Sequence, residues 1–257
     1  MSRLSEIFTR NKKCFIPFVT AGHPDLETTR EIVLALAASG SHIIEIGIPF
    51  SDPIADGPVI QKSSFQALRH RYSFADYIDL IRQIRKETEV GLVFMTYMNP
   101  ALSYGLEKLN REGVKAGLDG VLISDLTPEE YSRREPMKAL DTIFLAAPTS
   151  SDQRLQKILE VSRGFVYLVA RTGVTGRQSD VEASVPETVK RLRRYTQLPI
   201  AVGFGITSAR DVSKVWKYAD AAVVGSAIVS FIEAHRSEAD LAQKVGEYVR
   251  KDLISAS

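Results

Sequence analysis

His42-Ile43-Ile44-Glu45-Ile46-Gly47-Ile48 reads as a β-strand with one charged residue inside it. Side chains alternate along a strand, so Ile44, Ile46 and Ile48 share one face and Ile43, Glu45 and Gly47 the other. In a closed barrel the first face meets the surrounding helices, and Glu45 points to the interior beside Ile43 and the side-chain-free Gly47. Seven similar apolar runs occur along the chain: Cys14–Thr20, Gly91–Tyr97, Asp119–Ser124, Asp141–Ala146, Phe165–Ala170, Leu198–Gly203 and Asp220–Gly225. Each is followed by a stretch of helical period.

Asp25 is placed to cap a helix in which Leu26, Thr29, Ile32, Val33 and Leu36 share a face, with Gly40 ending it. Ser150-Ser151-Asp152 precede a helix carrying Leu155, Ile158 and Leu159. Thr207 or Ser208 opens another through Val212, Val215 and Trp216, and a last helix is expected from about Ser237 with Leu241, Val245 and Tyr248 inward. Strands alternating with helices imply parallel pairing, which needs long crossovers. Eight such units with no linker predict a single α/β domain over residues 1–257, a (β/α)8 TIM barrel. An open doubly wound sheet usually carries GxGxxG after its first strand, and Phe18-Val19-Thr20-Ala21-Gly22 does not.

Composition narrows the chemistry further. The 257 residues include 25% charged and 44% hydrophobic side chains, which excludes disorder and collagen-like repeats. Cys14 is the one cysteine, so an intrachain disulfide is impossible, and His23, His42, His70 and His235 form no metal-ligand spacing. A net charge of +2 implies no polyanionic partner such as nucleic acid. The basic run Lys190-Arg191-Leu192-Arg193-Arg194 reads as the wet face of a helix. Residues 1–10 lack the apolar core of a signal peptide, and no run is long enough to span a membrane; a cytoplasmic protein is expected.

In a barrel, chemistry belongs to the C-terminal ends of the strands and the loops after them. Two loops there are long and rich in Gly or Pro, around 49–58 and 171–184, and suggest lids. An interior carboxylate such as Glu45 is costly unless paired or protonated. It is therefore either half of a buried ion pair or a general acid/base tuned by burial. Asp56, in the loop after the same strand, is a turn residue or a second carboxylate in a different environment. Asp52 and Asp125 fit caps or turns as well as catalysis. Gly203-Phe204-Gly205 and Gly225-Ser226, each before a helix, suit phosphate binding by backbone N–H groups. No lysine falls in the strand cores for a Schiff base, and GxSxG and P-loop signatures are missing. Metal-free and cofactor-free acid/base chemistry on a small phosphate ester remains.

The stretch from Ile44 to Pro58, IEIGIPFSDPIADGP, resembles the signature of the tryptophan synthase alpha chain family. The resemblance continues in order through Phe15–Gly22, Met95–Pro100, Arg171–Gly176 and Val202–Ile206, and so covers essentially the whole chain. It implies a lyase that cleaves indole-3-glycerol phosphate to indole and glyceraldehyde 3-phosphate by acid/base retro-aldol chemistry. By the same resemblance Glu45 is the general acid/base and Asp56 meets the indole N–H. Phe18, Ile60, Tyr97, Leu122 and Tyr167 line the indole side, and Thr175 closes the second loop. Gly176, Phe204, Gly205, Gly225 and Ser226 hold the phosphate. The resemblance further implies an αββα heterotetramer with a tryptophan synthase beta chain, which holds pyridoxal phosphate, this chain having no cofactor or metal. Pro49, Asp52, Asn99 and Gly173 match positions facing that partner. Three departures stand out: Ser41-His42 where Ala-Asp is frequent, at the barrel end opposite the site and expected to have little consequence; Thr127 for a proline, which is expected to loosen its loop; and Arg177 for a small residue, beside the phosphate or in water. A phosphosugar isomerase on the same fold accounts for the glycine turns but not for Glu45 with Asp56.

Overall fold

The computed structural model describes residues 1–132, 137–169, 178–203 and 205–254, with the side chains of 178–183 left aside. Eight parallel strands close into a barrel in sequence order. They are β1 (Cys14–Thr20), β2 (Ile43–Gly47), β3 (Gly91–Thr96), β4 (Gly120–Ile123), β5 (Asp141–Ala146), β6 (Val166–Val169), β7 (Ile200–Gly203) and β8 (Ala221–Val224). Around and beneath them lie α1 (Arg3–Arg10), α2 (Leu26–Ala38), α3 (Pro58–Ala67), α4 (Phe74–Arg85), α5 (Met98–Tyr104) and α6 (Leu106–Ala116). The second half carries α7 (Pro128–Ser132), α8 (Asp152–Val161), α9 (Gln178–Arg193), α10 (Ala209–Trp216), α11 (Ser226–His235) and α12 (Leu241–Tyr248). Among the described residues, no helix is long and apolar enough to cross a membrane.

The alternation read from the sequence separates two cores. Ile44, Ile46 and Ile48 join the large cluster between strands and helices, with Ile32, Val33 and Leu36 of α2. Ile43 joins a smaller interior cluster with Cys14, Ile16, Val93, Leu122, Ile143 and Val223. Leu4 of α1 belongs to that interior cluster too, so the first helix plugs the N-terminal end of the barrel. Gly91 and Gly120 admit it: a Cβ on either would stand within about 3.0 Å of Leu4.

Helix boundaries follow caps. Asp25 accepts the Thr28 N–H at 2.8 Å, and Ser151 and Ser208 cap α8 and α10 in the same way. Three boundaries differ from expectation. The last helix starts at Leu241, not near Ser237, because Glu238 N–H bonds the His235 carbonyl and the chain turns once more first. The loop expected over 171–184 is already helical at Gln178; residues 171–177 lie outside the described residues. Thr127 tightens its loop instead of loosening it: its hydroxyl accepts Glu130 N–H at 3.2 Å and donates to Glu130 at 2.7 Å, a capping box at the start of α7. In the basic run, Leu192 is buried, Arg191 bonds Asp152 and Arg193 bonds Asp220, so the run is half structural.

At the N-terminal end, polar side chains finish the sheet. Asp119 accepts Leu92 N–H at 2.8 Å and Asp220 accepts Ile200 N–H at 2.7 Å. His42 fills the equivalent position before β2, its Nδ1 accepting Phe15 N–H at 3.1 Å. That contact needs neutral imidazole, and burial lowers the His42 pKa from 6.5. The contribution is therefore complete above the unfolded pKa near 6.5 and lost as pH falls below it. His42→Asp keeps an acceptor without that titration. Its melting temperature relative to the parent's should rise as pH falls from 7.5 to 5.5, as read by circular dichroism, since every other titrating group is common to both proteins; parallel curves would remove His42 from the account.

Candidate active site

Glu45 sits at the middle of β2, opposite Phe18 of β1 and Val93 of β3 in the ladders. It is 0% exposed, and neither carboxyl oxygen has a hydrogen-bond partner among the described residues. Burial alone pushes its pKa up to about 8, so the group is a neutral acid at pH 7. The buried ion pair left open by the sequence is thus absent. Such a group is held in reserve for chemistry or is a defect, and its surroundings decide between the two.

Immediately above lies Gly47, where the Phe18 ring crosses the strand. A Cβ on Gly47 would come within 2.4 Å of Phe18 Cζ, so any other residue would displace the ring. Across the barrel Gly203 does the same for Tyr167, whose hydroxyl would lie 2.2 Å from an added Cβ. The Tyr167 hydroxyl feels the charge of both Glu45 and Asp56, and burial with those charges raises its pKa well above the ordinary value.

Asp56 is positioned by Tyr97. The Tyr97 hydroxyl accepts Ala55 N–H at 3.0 Å and lies close enough to the Asp56 carboxyl to favour its charged form, while the Phe50 ring packs at 5.2 Å from the Tyr97 ring. Burial raises the Asp56 pKa to about 6, with the Tyr97 bond pulling the other way. Asp56 is thus ionised at pH 7 while Glu45 is not: two carboxyl groups held in opposite protonation states.

Phe18, Gly47, Ile48, Asp56, Ile60, Ser64, Met95 and Tyr97 enclose a cavity of about 10 Å³, room for about one water. This cavity is smaller than an aromatic ring system. Of the expected lining residues, Phe18, Ile60 and Tyr97 are here; Leu122 is fully buried beside Met95, its ladder partner. Met95 and the buried Ser64 were not anticipated. Inward parity with Val93 would have found Met95, and the helical turn from Ile60 to Ser64 would have found the serine. Gly205 (φ 49°) and Ser226 are exposed at the rim, and Gly225 precedes α11 with no side chain capping its first turn. Free N–H groups there suit an anion. Phe204, Gly173, Thr175, Gly176 and Arg177 lie outside the described residues.

Of the remaining candidates, Asp125 is a helix cap, accepting Met98 N–H at 2.6 Å. Asp52 and Asn99 are exposed, and Pro49 is buried within this chain. Ile54, at the tip of the Asp56 loop, is 84% exposed and was not anticipated. Among the described residues no three His, Cys, Asp or Glu side chains converge as a metal-ligand set. A larger cleft of about 560 Å³ lies at the opposite end, between α1 and the segment before β7. Its Arg193 and Asp220 are bonded to each other, and it contains neither carboxylate of interest.

The surroundings thus favour chemistry over defect, and one measurement separates the fold's interest from the site's. The folded pKa of Glu45 lies above the unfolded 4.5, so its destabilising effect grows as pH rises from 4.5 to about 8. Glu45→Gln should therefore melt at a higher temperature than the parent at pH 8, with the gap closing towards pH 5. A variant melting lower at pH 8 would mean that Glu45 has a stabilising partner.

Comparison with known proteins is consistent across methods. The tryptophan synthase alpha chain family profile matches residues 4–255. The chain is 42% identical over 256 residues to the tryptophan synthase alpha chain of Geotalea uraniireducens, covering 97% of this chain and 96% of that one. It is 43% identical to that of Geobacter sulfurreducens, with 97% of each covered. Its fold matches the crystal structure of tryptophan synthase subunit alpha from Legionella pneumophila with a TM-score of 0.87 at 32% identity, covering 97% and 96%. It also matches tryptophan synthase from Mycobacterium tuberculosis in an aminoacrylate-bound form, with a TM-score of 0.84 at 32% identity, covering 97% and 99%.

Proposed function

The chain belongs to the tryptophan synthase alpha chain family, lyases that cleave indole-3-glycerol phosphate in tryptophan biosynthesis, and we propose that Glu45 and Asp56 perform that cleavage as a pair of carboxyl groups in opposite protonation states. The observation that carries this reading is Glu45 itself, a fully buried acid without a partner in the barrel interior.

The carbon–carbon bond breaks only if indole becomes a good leaving group. Neutral Glu45 donates its proton to ring carbon C3, which puts positive charge on the ring. The Asp56 carboxylate accepts the ring N–H and stabilises that charge. Glu45, now a carboxylate, takes the proton from the hydroxyl on the carbon attached to C3. The bonding pair returns to the ring, the aldehyde forms, and Glu45 ends protonated as it began. Substrate and one acid account for every proton and electron pair. The apolar wall of Phe18, Ile60, Met95 and Tyr97 suits the ring, and the free N–H groups of Gly225 and the first turn of α11, with Gly205 and the Ser226 hydroxyl, suit the phosphate. Gly176 and Phe204 complete that set in the proposal.

Cleavage then needs Glu45 protonated and Asp56 ionised. kcat/KM should be bell-shaped, falling below about pH 6 and above about pH 8. Glu45→Gln should abolish indole release, by roughly 10²–10⁴-fold or more, while still binding a non-cleavable analogue. Asp56→Asn should lose about 10²–10³-fold and the acid limb with it. Near-normal turnover in Glu45→Gln would falsify the acid/base assignment.

We also propose that the chain works beside a beta chain in an αββα heterotetramer, the beta chain holding pyridoxal phosphate and consuming indole. Ile54 supports it: a large apolar side chain 84% exposed, two residues from Asp56 and beside the exposed Asp52. Pro49, Asn99 and Gly173 belong to the same proposed face. Adding beta chain should raise the rate of indole formation, and Ile54→Asp should weaken that activation severalfold with the isolated chain's rate unchanged. Equal activation of both proteins would take Ile54 out of the interface.

A further inference from the structure

Ser124 directly follows β4, and its hydroxyl is buried with no hydrogen-bond partner among the described residues. Its N–H still bonds the Thr96 carbonyl at 2.8 Å, so the ladder with β3 runs one residue past the strand and sets Ser124 opposite Tyr97. Along this segment Leu122 joins the interior cluster and Ile123 the outer one. Ser124 is next on the inward face. Asp125, next in the turn, is exposed and accepts the Met98 N–H at 2.6 Å.

The hydroxyl has little to bond to in the chain itself. Leu122 lies on the same face, and the Tyr97 hydroxyl is already engaged by Asp56 and Ala55. A buried hydroxyl without a partner is unfavourable, and one that persists at the mouth of a site is available to a ligand. The proposed binding mode identifies the part of the ligand. The phosphate turns belong to β7 and β8, on the far side of the barrel from β4, whereas the apolar wall is built on β1 to β3 and α3, with Ser124 at the end of β4 next to its Tyr97 edge. The ring end of the substrate therefore points to β3 and β4. Asp56 takes the ring nitrogen, which leaves the benzo edge to face Ser124.

We propose that Ser124 is a specificity-determining residue that accepts a polar substituent on the benzo ring, so that the lyase handles hydroxy-substituted indole glycerol phosphates; this rests on the reaction proposed above. A purely apolar wall would desolvate such a hydroxyl without replacing its water. Ser124 supplies a partner that both donates and accepts.

The test is the reverse condensation of glyceraldehyde 3-phosphate with indole or with 4-, 5-, 6- or 7-hydroxyindole, run with the full-length chain. The parent should condense at least one hydroxyindole with an efficiency comparable to indole. In Ser124→Ala the ratio of that isomer to indole should drop about five- to tenfold, the value of one hydrogen bond. Indole itself should react as well as before or better, which also shows that the variant is folded. Ser124→Thr, which keeps the hydroxyl, should keep the ratio. If indole condenses normally and the ratio is unchanged in Ser124→Ala for all four isomers, this proposal alone is overturned. If the parent fails to condense indole at all, the reaction assigned to the site falls, and this proposal with it.

Discussion

The barrel holds a carboxyl group at its centre that no described residue bonds. Burial displaces the Glu45 pKa from 4.5 to about 8; at pH 8 that disfavours the folded state by something on the order of a few kcal/mol. The surrounding structure is arranged to tolerate the group without neutralising it. Ile44 and Ile46 anchor its strand in the outer core, and Val93 lies opposite it in the ladder. Gly47 and Gly203 leave the layer above open for the Phe18 and Tyr167 rings instead of a cation.

The two ends of the barrel treat acids in opposite ways. At the N-terminal end Asp119 binds Arg3, Arg85 and a backbone N–H, and Asp220 binds Arg193 and a backbone N–H. These acids close the sheet where it meets α1. At the C-terminal end Glu45 has no partner and Asp56 has one phenol, a neutral group that orients it without fixing its charge. Coulomb attraction to an arginine would have held either carboxyl ionised and removed the contrast in protonation that the site depends on. The arginine pairs thus close the N-terminal end of the sheet and leave Glu45 and Asp56 out of their reach.

Glu45 was legible because strand periodicity is strict: one acidic residue among isoleucines must point inward if they point outward. The eight strands were legible for the same reason, and α2 because Asp25 and its apolar stripe agree. What escaped depended on contacts between distant segments. Nothing local marks Gly47 as the seat of the Phe18 ring, since the two lie on neighbouring strands and meet only through the barrel's stagger. Thr127 was read through the proline it replaces, whereas its reciprocal bonds with Glu130 make the helix start. His42 was expected to matter little at its end of the barrel, yet it accepts the backbone N–H that an aspartate accepts before β4 and β8. The start of α12 was misjudged because Ser237 resembles a cap, although a turn intervenes.

Tyr97 joins these threads. It stands at the end of β3, its ring against Phe50 and its hydroxyl shared between Ala55 and Asp56. One side chain thereby fixes the loop that carries both Asp56 and, two residues earlier, the exposed Ile54. The cavity beneath this loop, about 10 Å³, is smaller than a bicyclic ring. If the loop yields, the Tyr97 bonds break and the Asp56 pKa loses its one lowering influence. They must re-form over the ring for Asp56 to be ionised where the positive charge develops. Any surface that covers Ile54 favours the closed position of the same short segment, and so acts on Asp56 without touching the substrate. Coupling between a partner and the proposed chemistry then requires no long pathway, only a loop in which the apolar tip Ile54 and the Asp56 carboxyl are two residues apart.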